Sequence, residues 1–178
     1  RPSAALLKAC LLNGAMEMSG QDQLSSLTVT RVPSLDQGWG RIHLDNILYF
    51  SGDGRRTMLW DVRNENGLST GGQAEYAVSV VSSTEPLKAH LVWTDPPSNP
   101  MVSLNLVNNL DLEVVSPSGV RYRGNVFSNG QSTPVGEADV LNNAEGFILN
   151  NPETGTWRLV VKATSVPARA NDPEATPN

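Results

Sequence analysis

From Arg55 onward the apolar residues of this chain recur at every second position, and that period limits the fold more than any other feature of the sequence. Tyr76, Val78 and Val80 alternate with Glu75, Ala77 and Ser79. Leu87, Ala89, Leu91 and Trp93 alternate with Lys88, His90, Val92 and Thr94, and Trp157, Leu159 and Val161 alternate with Arg158, Val160 and Lys162. Successive side chains of a strand point to opposite faces, so each run offers one face to a core. Further strands are predicted over residues 57–62, 110–115, 120–123 and 146–149, each bounded by Gly, Pro, Asn or Asp. Short strands in that number with no helix between them make the chain mainly β: an antiparallel β-sandwich of jelly-roll-like form over 53–166.

The segment ahead of it has a different period. Leu6, Leu7, Cys10 and Leu11 fall on one stripe of a helix over residues 3–13, with Ser3 as its cap and Asn13-Gly14 as its stop. Cys10, the single cysteine, has no partner for an internal disulfide and packs there as a small hydrophobe. Residues 15–35 are polar and aperiodic, a surface excursion before the Gly38-Trp39-Gly40 turn. A second short helix is expected over 44–49, capped by His43 and stopped by Ser51-Gly52-Asp53-Gly54, and the boundary between a 1–52 segment and the sandwich is set there. The stretch 167–178, with Asn171-Asp172-Pro173 and Thr176-Pro177, has little to bury and reads as a flexible tail.

Composition narrows the function. With 178 residues, 39% of them hydrophobic, the chain can bury a sizeable core. A net charge of −5 with 13 scattered basic residues disfavours nucleic acid as a partner, because phosphate binding needs clustered Lys and Arg. Lys8 interrupts the longest apolar run, so no membrane span is expected. There is no initiator Met and no signal-peptide pattern, so the chain reads as a mature product or an excised segment. A Ser/His/Asp triad needs a histidine held between a carboxylate and the nucleophile. Of the two histidines, His90 alternates with Lys88 on the outward face of its strand and reads as a solvated surface residue, and His43 reads as a helix cap. No nucleophile elbow, phosphate loop or zinc spacing is present. Alone, the chain is expected to be non-catalytic.

One hairpin can be read residue by residue. The loop Pro117-Ser118-Gly119 pairs Ser116 with Val120, and outward from it Val114 with Tyr122, Leu112 with Gly124, Glu113 with Arg123, and Asp111 with Asn125. Glu113 then has a counter-charge, whereas Asp111 has only the amides of Asn125 and Asn109. An acid between two amide oxygens can begin a hard-cation site, since calcium takes six to eight oxygen ligands; the plainer alternative is an exposed, hydrogen-bonded acid. Asp95, in the neighbouring loop, is a further candidate ligand. The cluster Asp139, Asn142, Asn143 and Glu145 is read as turn chemistry.

Several motifs, in order, carry a resemblance. Pro2-Ser3-Ala4-Ala5-Leu6-Leu7-Lys8-Ala9, Asn13-Gly14-Ala15 and Gln37-Gly38-Trp39-Gly40-Arg41-Ile42 are similar to the end of subtilisin-like catalytic domains. Leu87 to Pro97, Leu106 to Leu112, Ser116-Pro117-Ser118-Gly119, Tyr122-Arg123-Gly124-Asn125, Asn142-Asn143-Ala144-Glu145, Asn151-Pro152 and Gly155-Thr156-Trp157 resemble the β-sandwich appended to alkaline subtilisin-like peptidases. The resemblance implies a secreted, extracellular serine endopeptidase whose Asp/His/Ser triad lies upstream of Arg1, so that the leading helix is a remnant of an α/β catalytic domain. It also implies that the sandwich binds calcium, with Asp111, Asn109, Asn125 and Asp95 as the candidate ligands here. Three positions depart from the family pattern. His43 stands where Asn is usual, Asn109 stands where Asp is common, and the chain stops at Asn178 without the family's closing strand.

Two functions follow from these features. In the first, the chain is the non-catalytic C-terminal portion of such a peptidase. Its partners are then the upstream catalytic domain, whose stability or substrate access it supports, and that domain's protein or peptide substrate. In the second, the sandwich is an independent binding module for carbohydrate or fibrous protein. The amphipathic helix favours the first, because a free-standing module leaves its apolar face unpaired.

Overall fold

The computed structural model describes residues 1–21 and 28–168. Helix α1 (Ala4–Gly14) starts where Ser3 Oγ accepts the Leu6 amide at 3.0 Å. The Ser3 amide donates in turn to Asp61 Oδ2 at 2.9 Å. The strands are β1 (Gln73–Val80), β2 (Leu87–Val92), β3 (Asn109–Val115), β4 (Arg121–Arg123), β5 (Phe127–Ser128), β6 (Gln131–Ser132), β7 (Ala144–Leu149) and β8 (Gly155–Ser165). All pair antiparallel, in a four-stranded sheet of order β1-β8-β3-β4, a β2-β7 pair and a β5-β6 hairpin.

The chain is a β-sandwich, and its alternation says why. Val78, Leu112, Val114, Trp157 and Leu159 from the larger sheet meet Leu87, Ala89, Leu91, Phe147 and Leu149 from the smaller one in a single core. Trp157 and Phe147 are fully buried, with ring centroids 5.9 Å apart, and the Trp157 indole N–H donates to the Glu153 carbonyl at 2.8 Å. Truncating side chains so enclosed costs about 3–5 kcal/mol each, so these two rings anchor the fold.

The smaller sheet is covered on its other face too. Helix α1 packs on β2, with Lys88 Nζ donating to the Ala15 carbonyl at 3.2 Å and Lys8 Nζ to Asn143 Oδ1 at 3.3 Å. His90 therefore does face away from the sandwich core, as its alternation predicts, but it is half-buried against α1 and Trp39, with its Nε2 enclosed, rather than solvated. The period reports which face a residue occupies, not what covers that face.

Other expectations change for local reasons. Residues 57–62 join no ladder; Asp61 serves the cap of α1, and the Trp60 ring lies against Tyr76, 4.8 Å between centroids. The helix expected over 44–49 is a 3-10 turn of Leu44–Asn46, and His43 makes no capping bond. Asn46 acts on α1 instead, its Nδ2 donating to the Gly14 carbonyl at 3.1 Å, a carbonyl that the end of the helix leaves open. On α1 the expected apolar stripe is only half covered, since Leu7 and Leu11 are exposed. Of the tail 167–178, residues from 169 onward lie outside the described residues, as do residues 22–27 of the polar excursion.

Candidate functional site

The β3-β4 hairpin brings the acidic residues together. Its register is the expected one through Val114↔Tyr122 and Glu113↔Arg123, and the Gly124 amide extends it by donating to the Leu112 carbonyl at 2.8 Å. Beyond that point the two differ. Asn125 takes a left-handed conformation (φ 59°) and turns to β7, where its amide donates to the Gly146 carbonyl at 2.9 Å, so it does not stand opposite Asp111. Asn125 Oδ1 accepts from the Gly146 amide at 2.9 Å, and its Nδ2 donates to the Ala144 carbonyl at 2.8 Å and to Asp139.

Glu113 is paired, though not with Arg123. Its carboxylate lies between Arg121 and Lys162, with Lys162 Nζ at 2.9 Å from Oε2, and Arg123 donates to the Gly136 carbonyl. The hydrogen bonds and charges of that pair hold the Glu113 carboxyl below its usual range despite its partial burial.

Asp111 stands across β8 from Lys162, whose ammonium goes to Glu113. One carboxylate oxygen accepts from the Thr164 hydroxyl, and the other, Oδ1, is buried with no hydrogen-bond partner among the described residues. Asn109 Oδ1, at the β-bulge that begins β3, is in the same condition.

A third such oxygen comes from β7. Glu145 is 1% exposed, and its Oε2 accepts the Leu112 amide at 2.7 Å, while Oε1 is buried and has no hydrogen-bond partner among the described residues. Gly124 makes room for it, since a Cβ at that position would stand 2.7 Å from the Glu145 Cβ. Burial, reinforced by the Asp111 and Asp139 carboxylates, pushes the Glu145 carboxyl up to about 8 against the opposing pull of the Leu112 amide. Asp111 and Glu145 line one small cavity of about 130 Å³, together with Glu113, Arg123 and Lys162.

Asp95 lies elsewhere. Its two oxygens accept the Val107 and Asn108 amides, each at 2.8 Å, and fix the loop that leads into β3. Asp139 and Asn142 do form a turn, as their residue types suggest: Asp139 accepts from the Leu141 amide at 2.8 Å and from Asn142 Nδ2 at 2.7 Å. Glu145 does not belong with them. The signal that singles it out is its place at the head of Gly146-Phe147-Ile148-Leu149, a run apolar on both faces.

Among the described residues no three His, Cys, Asp or Glu side chains form a ready metal-ligand group. A cation at Asp111 would therefore draw on amide, carbonyl and water oxygens beside the carboxylates, which is a calcium-like donor set. Asp111 and Glu145 supply open oxygens in the cavity, and Asn109, at the start of β3, has an open oxygen as well. Asn125 and Asp95 have theirs engaged by backbone amides.

Three curated proteins of Dictyostelium discoideum match nearly the whole chain. It is 29% identical to the serine protease/ABC transporter B family protein tagB over 93% of its own length, 27% identical to tagD over 94%, and 28% identical to tagA over 93%. It spans only 11%, 11% and 9% of those proteins. No protein-family model matches the chain.

Proposed function

We propose that this chain is the non-catalytic C-terminal part of a subtilisin-like serine endopeptidase, made of the end of the catalytic domain and its appended β-sandwich. The sandwich supports the stability or substrate access of a secreted peptidase whose triad lies upstream of Arg1. One observation carries this reading: α1 is docked on the outer face of the smaller sheet through Lys88, Lys8 and Asn13, so the helical segment and the sandwich fold as neighbours. The alignment of nearly the whole chain, helix included, with proteins named as serine proteases supports it. In the same reading the cavity of Asp111 and Glu145 holds a structural calcium ion, with Asn109 as a further ligand. The ion would take the place of the proton that the raised Glu145 carboxyl holds at neutral pH, and would neutralise Glu145 and Asp111 together.

A serine-directed fluorophosphonate probe tests the assignment. It should label the longer protein upstream of Arg1 and leave this chain unlabelled and without peptidase activity. Labelling of this chain, with hydrolysis that the reagent abolishes, would overturn the reading.

A further inference from the structure

On the outer face of β2, His90 is half-buried under three elements, which enclose its Nε2. From α1, Asn13 Oδ1 lies 3.0 Å from its Nδ1. From the following loop, the Trp39 ring stands edge-on, 4.7 Å between centroids at 74°. From β7, Gly146 is its ladder partner, and a Cβ there would come within 2.9 Å of Nε2 and would clash with the Trp39 ring. Nε2 is buried with no hydrogen-bond partner among the described residues. With the Asn13 oxygen turned to the ring, Nδ1 carries the proton of the neutral imidazole and Nε2 keeps a bare lone pair.

The charges around it do not welcome a second proton. Lys88 shares its face of β2, with its ammonium on the Ala15 carbonyl and with Glu17 and Arg55 acting on it in turn. Lys8 of α1 is turned to Asn143. Glu145, beside Gly146 on β7, gives its oxygen to Leu112 on the far side of the sheet. No carboxylate bonds the imidazole among the described residues.

We propose that His90 is an acid-operated latch, whose protonation at Nε2 releases α1 and the Trp39 loop from β2 while the sandwich stays folded. The imidazolium would bring a buried charge and a donor with no acceptor into a site already beside Lys88. Burial first, and Lys88 second, push the His90 imidazole down from 6.5 to about 3. The sign follows from that depression. The docked state binds fewer protons than the released one, so docking is at full strength above pH 6.5 and is lost progressively as pH falls toward 3. The core of Trp157, Phe147 and Leu112 has no group that gains charge in acid, and the held-down carboxyls of Glu113 and Asp139 give up their stabilisation only below their ordinary values of 4.5 and 3.8, so between pH 7 and pH 4.5 the loss falls on the N-terminal segment.

Hydrogen exchange on the whole chain between pH 7 and pH 4.5 tests the latch, expressed as protection factors to remove the intrinsic pH dependence of exchange. Protection of the α1 amides should fall about tenfold per pH unit below about pH 6, while β8 holds. His90→Asn, which keeps a donor near the Nδ1 position and cannot charge, should abolish the slope. Flat protection of α1 in the natural chain, or an equal slope in His90→Asn, would overturn the proposal. Should His90→Asn leave α1 undocked even at pH 7, an NMR titration of the natural chain decides. A His90 that titrates near pH 6.5 with α1 still protected refutes the latch, and one that stays neutral until α1 opens supports it.

Discussion

Asp111 and Glu145 line one small cavity, and each keeps one buried carboxylate oxygen without a hydrogen-bond partner among the described residues, an arrangement that costs free energy unless a proton or a cation offsets it. A cation that binds only the folded chain stabilises it by mass action, by about 2.7 kcal/mol at a hundredfold excess over Kd. For a chain of this size that is about 5–10 °C in melting temperature, readable by scanning calorimetry with calcium against chelator. Asp111→Asn and Glu145→Gln should each remove most of the shift. Glu113→Gln should leave it nearly intact, because the oxygens of Glu113 are taken by Arg121 and Lys162. A response lost in Glu113→Gln and kept in Asp111→Asn would refute the assignment. Half of this site was legible in the sequence: hairpin register isolates Asp111, whereas Glu145 comes from a strand of the opposite sheet, and strand period carries no information about which sheets will face each other. The left-handed Asn125 was illegible for a related reason, since the ladder pattern gives no sign of where a strand turns to a new partner.

At the scale of elements, α1 depends on its two ends. Ser3→Ala should destabilise the chain by about 1 kcal/mol in urea titration, because the Leu6 amide loses its acceptor. An unchanged midpoint would mean that the Asp61 contact alone holds the N-terminus. Strand positions were readable wherever alternation ran for several residues, as in β1, β2, β3 and β8, since one face of each is core. The failures share one cause. Residues 57–62 have strand composition but are used to cap and cover, the turn at Leu44–Asn46 exists to close α1 through Asn46, and the outward His90 is buried by a helix more than seventy residues earlier in the chain. Each is a tertiary demand that overrides a local preference.

For the whole molecule, the order of layers is four-stranded sheet, two-stranded sheet, then α1 with the Trp39 loop. That order makes the helical segment an extension of the sandwich. The segment also displays apolar side chains: Leu7, Leu11, Leu44, Leu48, Tyr49 and Phe50 are all exposed. In the proposed peptidase this face meets the rest of the catalytic domain, and the sandwich braces it from the other side. The most direct measurement is the thermal inactivation of the longer peptidase, compared with a version that ends after residue 52. The shortened enzyme should lose activity at a clearly lower temperature, because the outer face of β2 no longer holds α1. Equal inactivation temperatures with equal activity on folded substrates would contradict it.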